Sequence, residues 1–426
     1  MTVRFDRTHT DDLMRFVSSS PTPYHAVAET AAMLSAAGFV ELSETAEWDD
    51  NPGGKYVIRA GSIVAWFVPE NVAPHTGFRV FGSHTDSPTL KVKPRPDAGA
   101  AGWRQVAVEV YGGIPRDTWL DRDLGIAGRL VTRDGAAHLV NIDRPLLRIP
   151  RVAIHLDRGV NDGQVLDPQN HLKPVWGLGD PADGELIAYL AEEAGLAVAD
   201  VVAWDLMVHD VQPPAYLGRD GELLTCSRLD NLVSVHAGAA ALIAASENPG
   251  SHVPVLVAFD HEECGSESYA GAAGPFLDTV LRRVVAARGA GSDQIARAFA
   301  GTAVMSSDTG HSVHPNYSER HDPDHHPIAG GGPILKVNVN QRYATDAAGA
   351  ALFVAACDRA GVPWQPFTSR NSMPCGTTIG PITAAQLGVL TVDVGIAILS
   401  MHSVRELCAA DDPFYLAAAA HAFMTP

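Results

Sequence analysis

Five short stretches carry side chains suited to metal or acid–base chemistry. In GSHTDSPTLKVKP, residues 82–94, His84 and Asp86 stand two apart. A histidine that ligates a metal through one ring nitrogen usually hands the other to a carboxylate, and Asp86 is near enough to serve. The tripeptide alone is common by chance. In SRLDNL, residues 227–232, Asp230 precedes a helical run and reads as a metal ligand or as a helix N-cap. In AFDHEECGSES, residues 258–268, an apolar run empties into Asp260, His261, Glu262 and Glu263. Adjacent carboxylates at a buried strand end repel one another unless a cation lies between them or one is protonated. A solvated acidic turn is the bland alternative, and the buried look of Val253 to Phe259 favours the metal. SSDTGHSVHPNY, residues 306–317, places Asp308 after another apolar run, with His311 and His314 just beyond. LSMHSVREL, residues 399–407, puts His402 at the head of an expected helix. Taken singly, Asp308 reads as a turn residue and His402 as a half-buried histidine. Together the five blocks supply two histidines and three to four carboxylates, a nitrogen-and-oxygen set that suits zinc, cobalt or manganese.

The elements that must hold these residues are short apolar runs: Phe78 to Phe81, Val253 to Phe259, Thr302 to Met305 and Val389 to Val394. Runs of this length bounded by polar turns read as buried strands, and helical patterns such as Asn231 to Ala245 and Ala347 to Ala360 lie between them. Two more helical patches, Asp12 to Val17 and Tyr24 to Ala37, flank a Ser/Pro break. The expected class is α/β, a mixed sheet with helices on both faces. In such sheets ligands sit beyond the carboxyl ends of the strands, where the suggestive residues fall. The middle third reads differently, with strand-like stretches (Gln105 to Tyr111, Gly128 to Val131, Ala137 to Ile142), much Gly and Pro and few candidate ligands. The expected organisation is therefore a catalytic domain from residues 1–93 and 222–426, interrupted by a mostly-β insertion at 94–221.

Composition narrows the partners. The 426 residues carry 31 Lys+Arg against 49 Asp+Glu, a formal charge of −18. That field opposes a nucleic-acid backbone, so no nucleic acid is expected. An apolar share of 46% fits a globular chain. The charged N-terminus lacks a signal-peptide core, and Leu232 to Ala245 is interrupted and shorter than the roughly 20 residues of a membrane span. Five scattered cysteines form no C-x-x-C pair. A soluble, cytoplasmic protein with free thiols and no membrane partner is the expectation.

The five blocks, in this order and spacing, resemble the aspartyl aminopeptidase family of co-catalytic dizinc metallopeptidases. The likeness extends to SSSPTPYHAV (18–27), DRDLGIAGR (121–129), RVAIHLDR (151–158), ILKVNVNQRYATD (334–346) and MPCGTTIGP (373–381), and so to nearly the whole chain. It implies two divalent ions per subunit, most simply zinc, bridged by Asp230. His84 and Asp308 would complete one site, Glu263 and His402 the other. Glu262 would be the general base and Asp86 the partner that orients His84. Metals about 3.5 to 4 Å apart can share a water and lower its pKa toward neutrality. One of them would also hold the substrate's α-amino group or carbonyl, restricting cleavage to the N-terminal residue.

The family prefers peptides beginning with Asp or Glu, which calls for fixed positive charge. Lys336 is the candidate partner for that carboxylate, with Arg342 and Tyr343 in support; the ordinary alternative for Lys336 is a solvated lysine at a strand edge. The resemblance also implies a tetrahedral homo-dodecamer of dimers joined through the inserted domain, with His155 reaching a partner's active site to steady the oxyanion. Read from the residues alone, His155 is a packed strand histidine. Competing functions are a broad-specificity two-metal aminopeptidase, an N-acyl amide deacylase, or a non-catalytic assembly protein on the same scaffold. Metal buffering by the loop carrying His311, His314, His321, His325 and His326 ranks below a channel or structural role.

Overall fold

A computed structural model describes residues 5–426. The chain separates into two compact units: one comprises the chain up to Asp86 together with Pro214–Met401 and Glu406–Pro426, the other Ser87–Pro213 with His402–Arg405. These junctions lie seven or eight residues ahead of those expected from composition. The strand Thr89–Ala100 belongs wholly to the sheet of the second unit, so the chain leaves the first directly after Asp86.

The first unit is built on a nine-stranded mixed sheet. Its order is Val40–Glu41, Gly53–Arg59, Ser62–Val68, Val253–Phe259, Phe78–His84, Ala303–Ser307, Leu390–Gly395, Ile334–Val337 and Gln365–Thr368. Four neighbouring strands in the middle, 253–259, 78–84, 303–307 and 390–395, run parallel. Every residue of Val253–Phe259 and Ala303–Ser307 is buried, as continuous apolar runs require when both faces are covered. The pleat sorts them. Leu256 and Ala258 join one core with the helices Arg7–Ser19, Pro23–Ala36, Leu229–Glu247, Ala347–Ala360 and Asp412–Met424. Val253, Val255, Val257 and Phe259 join the opposite core, with the helices Phe276–Ala287, Ser292–Ala300 and Ile379–Leu387.

The helix Leu229–Glu247 is longer than the stretch expected from sequence. By length and composition it could cross a membrane, yet 83% of its most apolar window is buried inside the protein, where it packs on Asp412–Met424. Gly238 lets it lie close to the sheet: a Cβ there would stand 2.6 Å from the Phe81 ring and 2.7 Å from Leu256 Cδ1. A smaller five-stranded sheet, in the order Ala215–Leu217, Leu223–Cys226, Glu406–Ala409, Ala397–Leu399 and Gly310–His311, completes this unit. The helix expected after His402 is absent. Glu406–Ala409 is instead a strand paired antiparallel with Leu223–Cys226, and the next helix begins only at Asp412.

The second unit is a six-stranded antiparallel sheet, in the order Ala137–Leu147, Leu124–Thr132, Val201–Asp210, Thr89–Ala100, Trp103–Tyr111 and Val175–Leu178. One helix, Glu185–Glu193, lends Leu186 and Leu190 to a core shared with Leu124, Ile126, Leu206 and Val208.

Candidate metal centre

Parallel strands in register bring their carboxyl ends to one level, and the chemistry-bearing residues gather there. His84 ends the strand Phe78–His84 and pairs in register with Phe259. Asp260, Glu262 and Glu263 follow at once, the two glutamates on a one-turn 3-10 helix, Glu262–Cys264. Asp308 follows Ala303–Ser307, its backbone N–H donating to the Val394 carbonyl at 3.1 Å. His84 Nε2 lies 3.3 Å from Asp230 Oδ1 and 3.6 Å from Asp308 Oδ1. One ligand atom from each of these three residues falls within 4.8 Å of the others, and the same holds for His84, Glu262 and Glu263.

Asp230 and Asn231 have non-helical backbone angles at the head of Leu229–Glu247, and the Asp230 carboxylate faces His84. The Asp230 backbone N–H donates to Glu406 Oε2 at 2.9 Å, and Glu406 is itself buried. Asn231 Nδ2 donates to the Ser307 carbonyl at 2.8 Å, tying this turn to the strand that leads to Asp308. Glu406 gave no signal in the sequence, since a lone glutamate in an expected helix reads as solvent-facing.

The roles around Asp86 divide differently from the expectation. His84 Nδ1 donates to the Asp86 backbone carbonyl at 3.0 Å, while the Asp86 carboxylate is 3.5 Å from the ring. That carboxylate accepts from the backbone N–H groups of Glu262 at 3.1 Å and Glu263 at 3.0 Å. Asp86 therefore fixes the turn that aims both glutamates as well as the imidazole. Because a carbonyl only accepts, Nδ1 carries a hydrogen, which leaves Nε2, the nitrogen that faces the carboxylates, as the one that would ligate a metal.

Burial raises the Glu262 carboxyl to about 7, with Asp308, Asp86 and Asp230 adding repulsion and His84 opposing it. Glu263 is pushed well above the usual range, first by burial and then by Asp230. Burial pulls His84 down, but the carboxylates of Asp230, Asp308 and Asp86 outweigh it and the net shift is well upward. So many acids converging on one buried imidazole are mutually repulsive without a cation, and a nitrogen-plus-oxygen donor set fits a divalent first-row metal.

Gly395 was not singled out from sequence. A Cβ at this position would stand 1.7 Å from the Asp308 carbonyl oxygen, so only glycine allows the backbone after Ala303–Ser307 to pass. Gly395→Ala is expected to destabilise the protein by about 1–3 kcal/mol or more and to weaken metal binding by moving Asp308. Thermal unfolding and metal titration of the variant check this, and wild-type values in both would contradict it.

Lys336 is not a solvated strand-edge lysine. It is 1% exposed, its ammonium donates to the Thr309 carbonyl at 2.7 Å and lies 5.4 Å from the centre of the buried Tyr343 ring. No carboxylate among the described residues lies within ion-pair distance of it. Arg342 is exposed and tied in through its backbone, its carbonyl accepting from Thr377 Oγ1 at 3.2 Å, so nothing places its guanidinium beside Lys336.

In the second unit, His155 is exposed in a turn rather than packed in a strand. The apolar run around it finds no partner strand: Ile154 is 52% and Leu156 82% exposed. His402 belongs to this unit, where its Nδ1 donates to the Gly113 carbonyl at 3.1 Å. That bond places a hydrogen on Nδ1, as in His84, and leaves Nε2 as the nitrogen that would ligate a metal.

Comparison with known proteins gives the family of the chain. Residues 16–424 match the family described as aminopeptidase I zinc metalloprotease (M18). The chain is 65% identical over 427 residues to "Probable M18 family aminopeptidase 2" of Streptomyces coelicolor, covering 99% of both chains. Among solved structures, that of "the Ape4 and Nbr1 complex" superposes with a TM-score of 0.94 at 36% identity, covering 99% of this chain and 87% of that one. The S. cerevisiae mApe1 dodecamer gives a TM-score of 0.86 at 30% identity, covering 98% and 96%.

Proposed function

The chain belongs to the M18 aminopeptidase I family of zinc metalloproteases, and from that premise we propose that it removes N-terminal aspartate or glutamate from peptides. The observation that carries the reading is the convergence of His84, Asp308, Glu262 and Glu263 at the ends of adjoining parallel strands, with Asp230 reaching them from the head of Leu229–Glu247. In this reading His84, Asp230, Asp308, Glu263 and His402 would hold two metal ions. Zinc is the simplest occupant, and cobalt or manganese suits the same donors. When bound, two such ions would acidify a shared water and polarise the scissile carbonyl.

The chain's own residues do the rest. Glu262, raised toward neutrality by burial, accepts the proton of the attacking water and returns it to the departing amine. Asp86 keeps Glu262 and Glu263 in place through their backbone N–H groups. Lys336 supplies the positive charge for the substrate's acidic side chain. A buried ammonium with one hydrogen bond and no carboxylate at ion-pair distance, the buried Asp393 acting on it only from farther away, can accept a substrate anion, which supports this role. Lys336→Met is therefore expected to reduce the preference for Asp- over Leu-amides by about 10- to 100-fold in kcat/KM, the worth of a charged hydrogen bond. Steady-state rates on the two amides check it, and an unchanged ratio would remove Lys336 from the pocket.

The exposed apolar turn around His155 supports a homo-oligomer in which the second unit makes the dimer contact and His155 steadies the oxyanion in a partner's site. The S. cerevisiae relative was solved as a dodecamer, and a dodecamer of dimers is the assembly proposed here. A monomeric variant with full activity would rule out the cross-subunit role.

A further inference from the structure

A cavity of about 370 Å³ in the first unit has no part in the chemistry described above. Its floor is the strand Gly310–His311, paired with Ala397–Leu399, and its side is the end of Gln365–Thr368. His311 follows Asp308 by three residues, which an extended chain spans in at most about 10 Å, the length of roughly three residues of bound peptide. Phe367 forms a common wall, its ring 6.4 Å from that of His311 and 6.2 Å from that of Tyr343 beside Lys336.

The fixed charges at this cavity are two cations, Arg320 and Arg370, against one acid, Asp322, in a chain whose net charge is −18. Arg370 donates from Nε to Ser372 Oγ at 3.0 Å and from Nη1 to the His321 carbonyl at 3.5 Å. Among the described residues no carboxylate lies within ion-pair distance of it. Arg320 has only the exposed Glu319 at 3.7 Å, a contact of little energetic weight. The one acid at the cavity, Asp322, is engaged with His325 Nδ1 at 3.0 Å. Burial and the neighbouring rings of His326 and His314 hold His321 below its usual value, so the fixed charge comes from the two arginines.

We propose that this cavity receives a carboxylate of the peptide on the C-terminal side of the scissile bond, with Arg370 as its principal partner and Arg320 at its rim. The inference rests on the peptidase reading. A guanidinium whose donors are only partly used offers a planar fork to a carboxylate, and, with His311 at the floor no more than about 10 Å along the chain from Asp308, that carboxylate would lie a few residues into the substrate. It belongs either to an acidic side chain or to the C-terminus of a short peptide.

The test compares kcat/KM for matched peptides: Asp-Ala-Glu-amide with Asp-Ala-Gln-amide, and Asp-Ala-Ala with its C-terminal amide. The wild-type enzyme should favour the carboxylate member of at least one pair by about tenfold, mainly through KM. Arg370→Gln should bring that ratio to about one, Arg370→Lys should restore part of it, and Arg320→Gln should lower it less. Equal rates within both pairs for the wild type, or an undiminished ratio in both glutamine variants, would overturn the proposal. So would a changed Asp-over-Leu ratio on single-residue amides in Arg370→Gln, which would make the cavity the pocket for the N-terminal side chain. Failure of the wild type to cleave any Asp peptide would instead defeat the peptidase reading itself.

Discussion

Glu262→Gln is expected to leave the fold and the metal content intact and to lower kcat by about two to four orders of magnitude, the usual worth of a positioned acid–base group. The replacement is nearly isosteric. The turn that carries residue 262 is held by Asp86 through backbone N–H groups, so the side chain can change without loosening it. What disappears is a carboxyl that burial, with help from Asp308, Asp86 and Asp230 and against the pull of His84, has brought to about 7. Such a group can take a proton from water and give it back within one turnover, and an amide can do neither. Because this interaction is made in the transition state and not to the resting peptide, kcat and kcat/KM should fall together with KM little changed. Steady-state kinetics on an Asp-amide, with metal analysis of the same sample, checks it, and near-normal turnover would exclude Glu262 as the base.

Asp230→Asn is expected to act with opposite signs in two states of the protein. With divalent metal present, losing a carboxylate proposed to hold metal should lower metal affinity by more than the roughly 10- to 100-fold that follows loss of an outer partner, and turnover should fall with it. Without metal, the variant should be the more stable protein. Asp230 is, after burial, the largest cause of the upward shift at Glu263, so its charge penalises the metal-free fold. The pH dependence follows from the same shifts. Glu262 is raised from 4.5 to about 7 in the folded state, so between those values the folded chain binds more protons than the unfolded one. Metal-free wild type should therefore lose stability as pH rises through that window, and Asp230→Asn should lose less. Thermal unfolding with and without chelator, at pH 5.5 and 8, separates these outcomes. An Asp230→Asn protein that binds metal as tightly as wild type would remove Asp230 from the site.

Much of this site was legible because its residues follow apolar runs. Val253 to Phe259 could only be a strand buried on both faces, which made the acids just beyond it anomalous. His84 and Asp308 were readable in the same way. Asp230 was ambiguous, since an aspartate before a helix is ordinarily a cap; its non-helical backbone, held by Glu406, and its carboxylate facing His84 are seen only in the structure. Lys336 could also be read as a surface lysine, because nothing in its sequence neighbours reveals the Thr309 carbonyl that its ammonium reaches. His155 sits in an apolar run that composition assigns to a core, yet the run is exposed, as a surface awaiting another chain would be. Asp86 and Gly395 act through backbone atoms, which side-chain patterns do not record. The junctions of the insertion were misplaced by two strands, Thr89–Ala100 at the first and Ala215–Leu217 at the second, whose residues carry no mark of the sheet they join.

The central claim, a two-metal aminopeptidase selective for acidic N-termini, is tested most directly by one measurement on the purified protein. Divalent metal per subunit is determined alongside turnover of Asp-, Glu- and Leu-amides, before and after chelation and again after zinc, cobalt or manganese is restored. Two ions per subunit, faster turnover of the acidic amides, loss of activity on chelation and recovery with metal are the predicted result. Undiminished turnover by the metal-free protein would contradict the account.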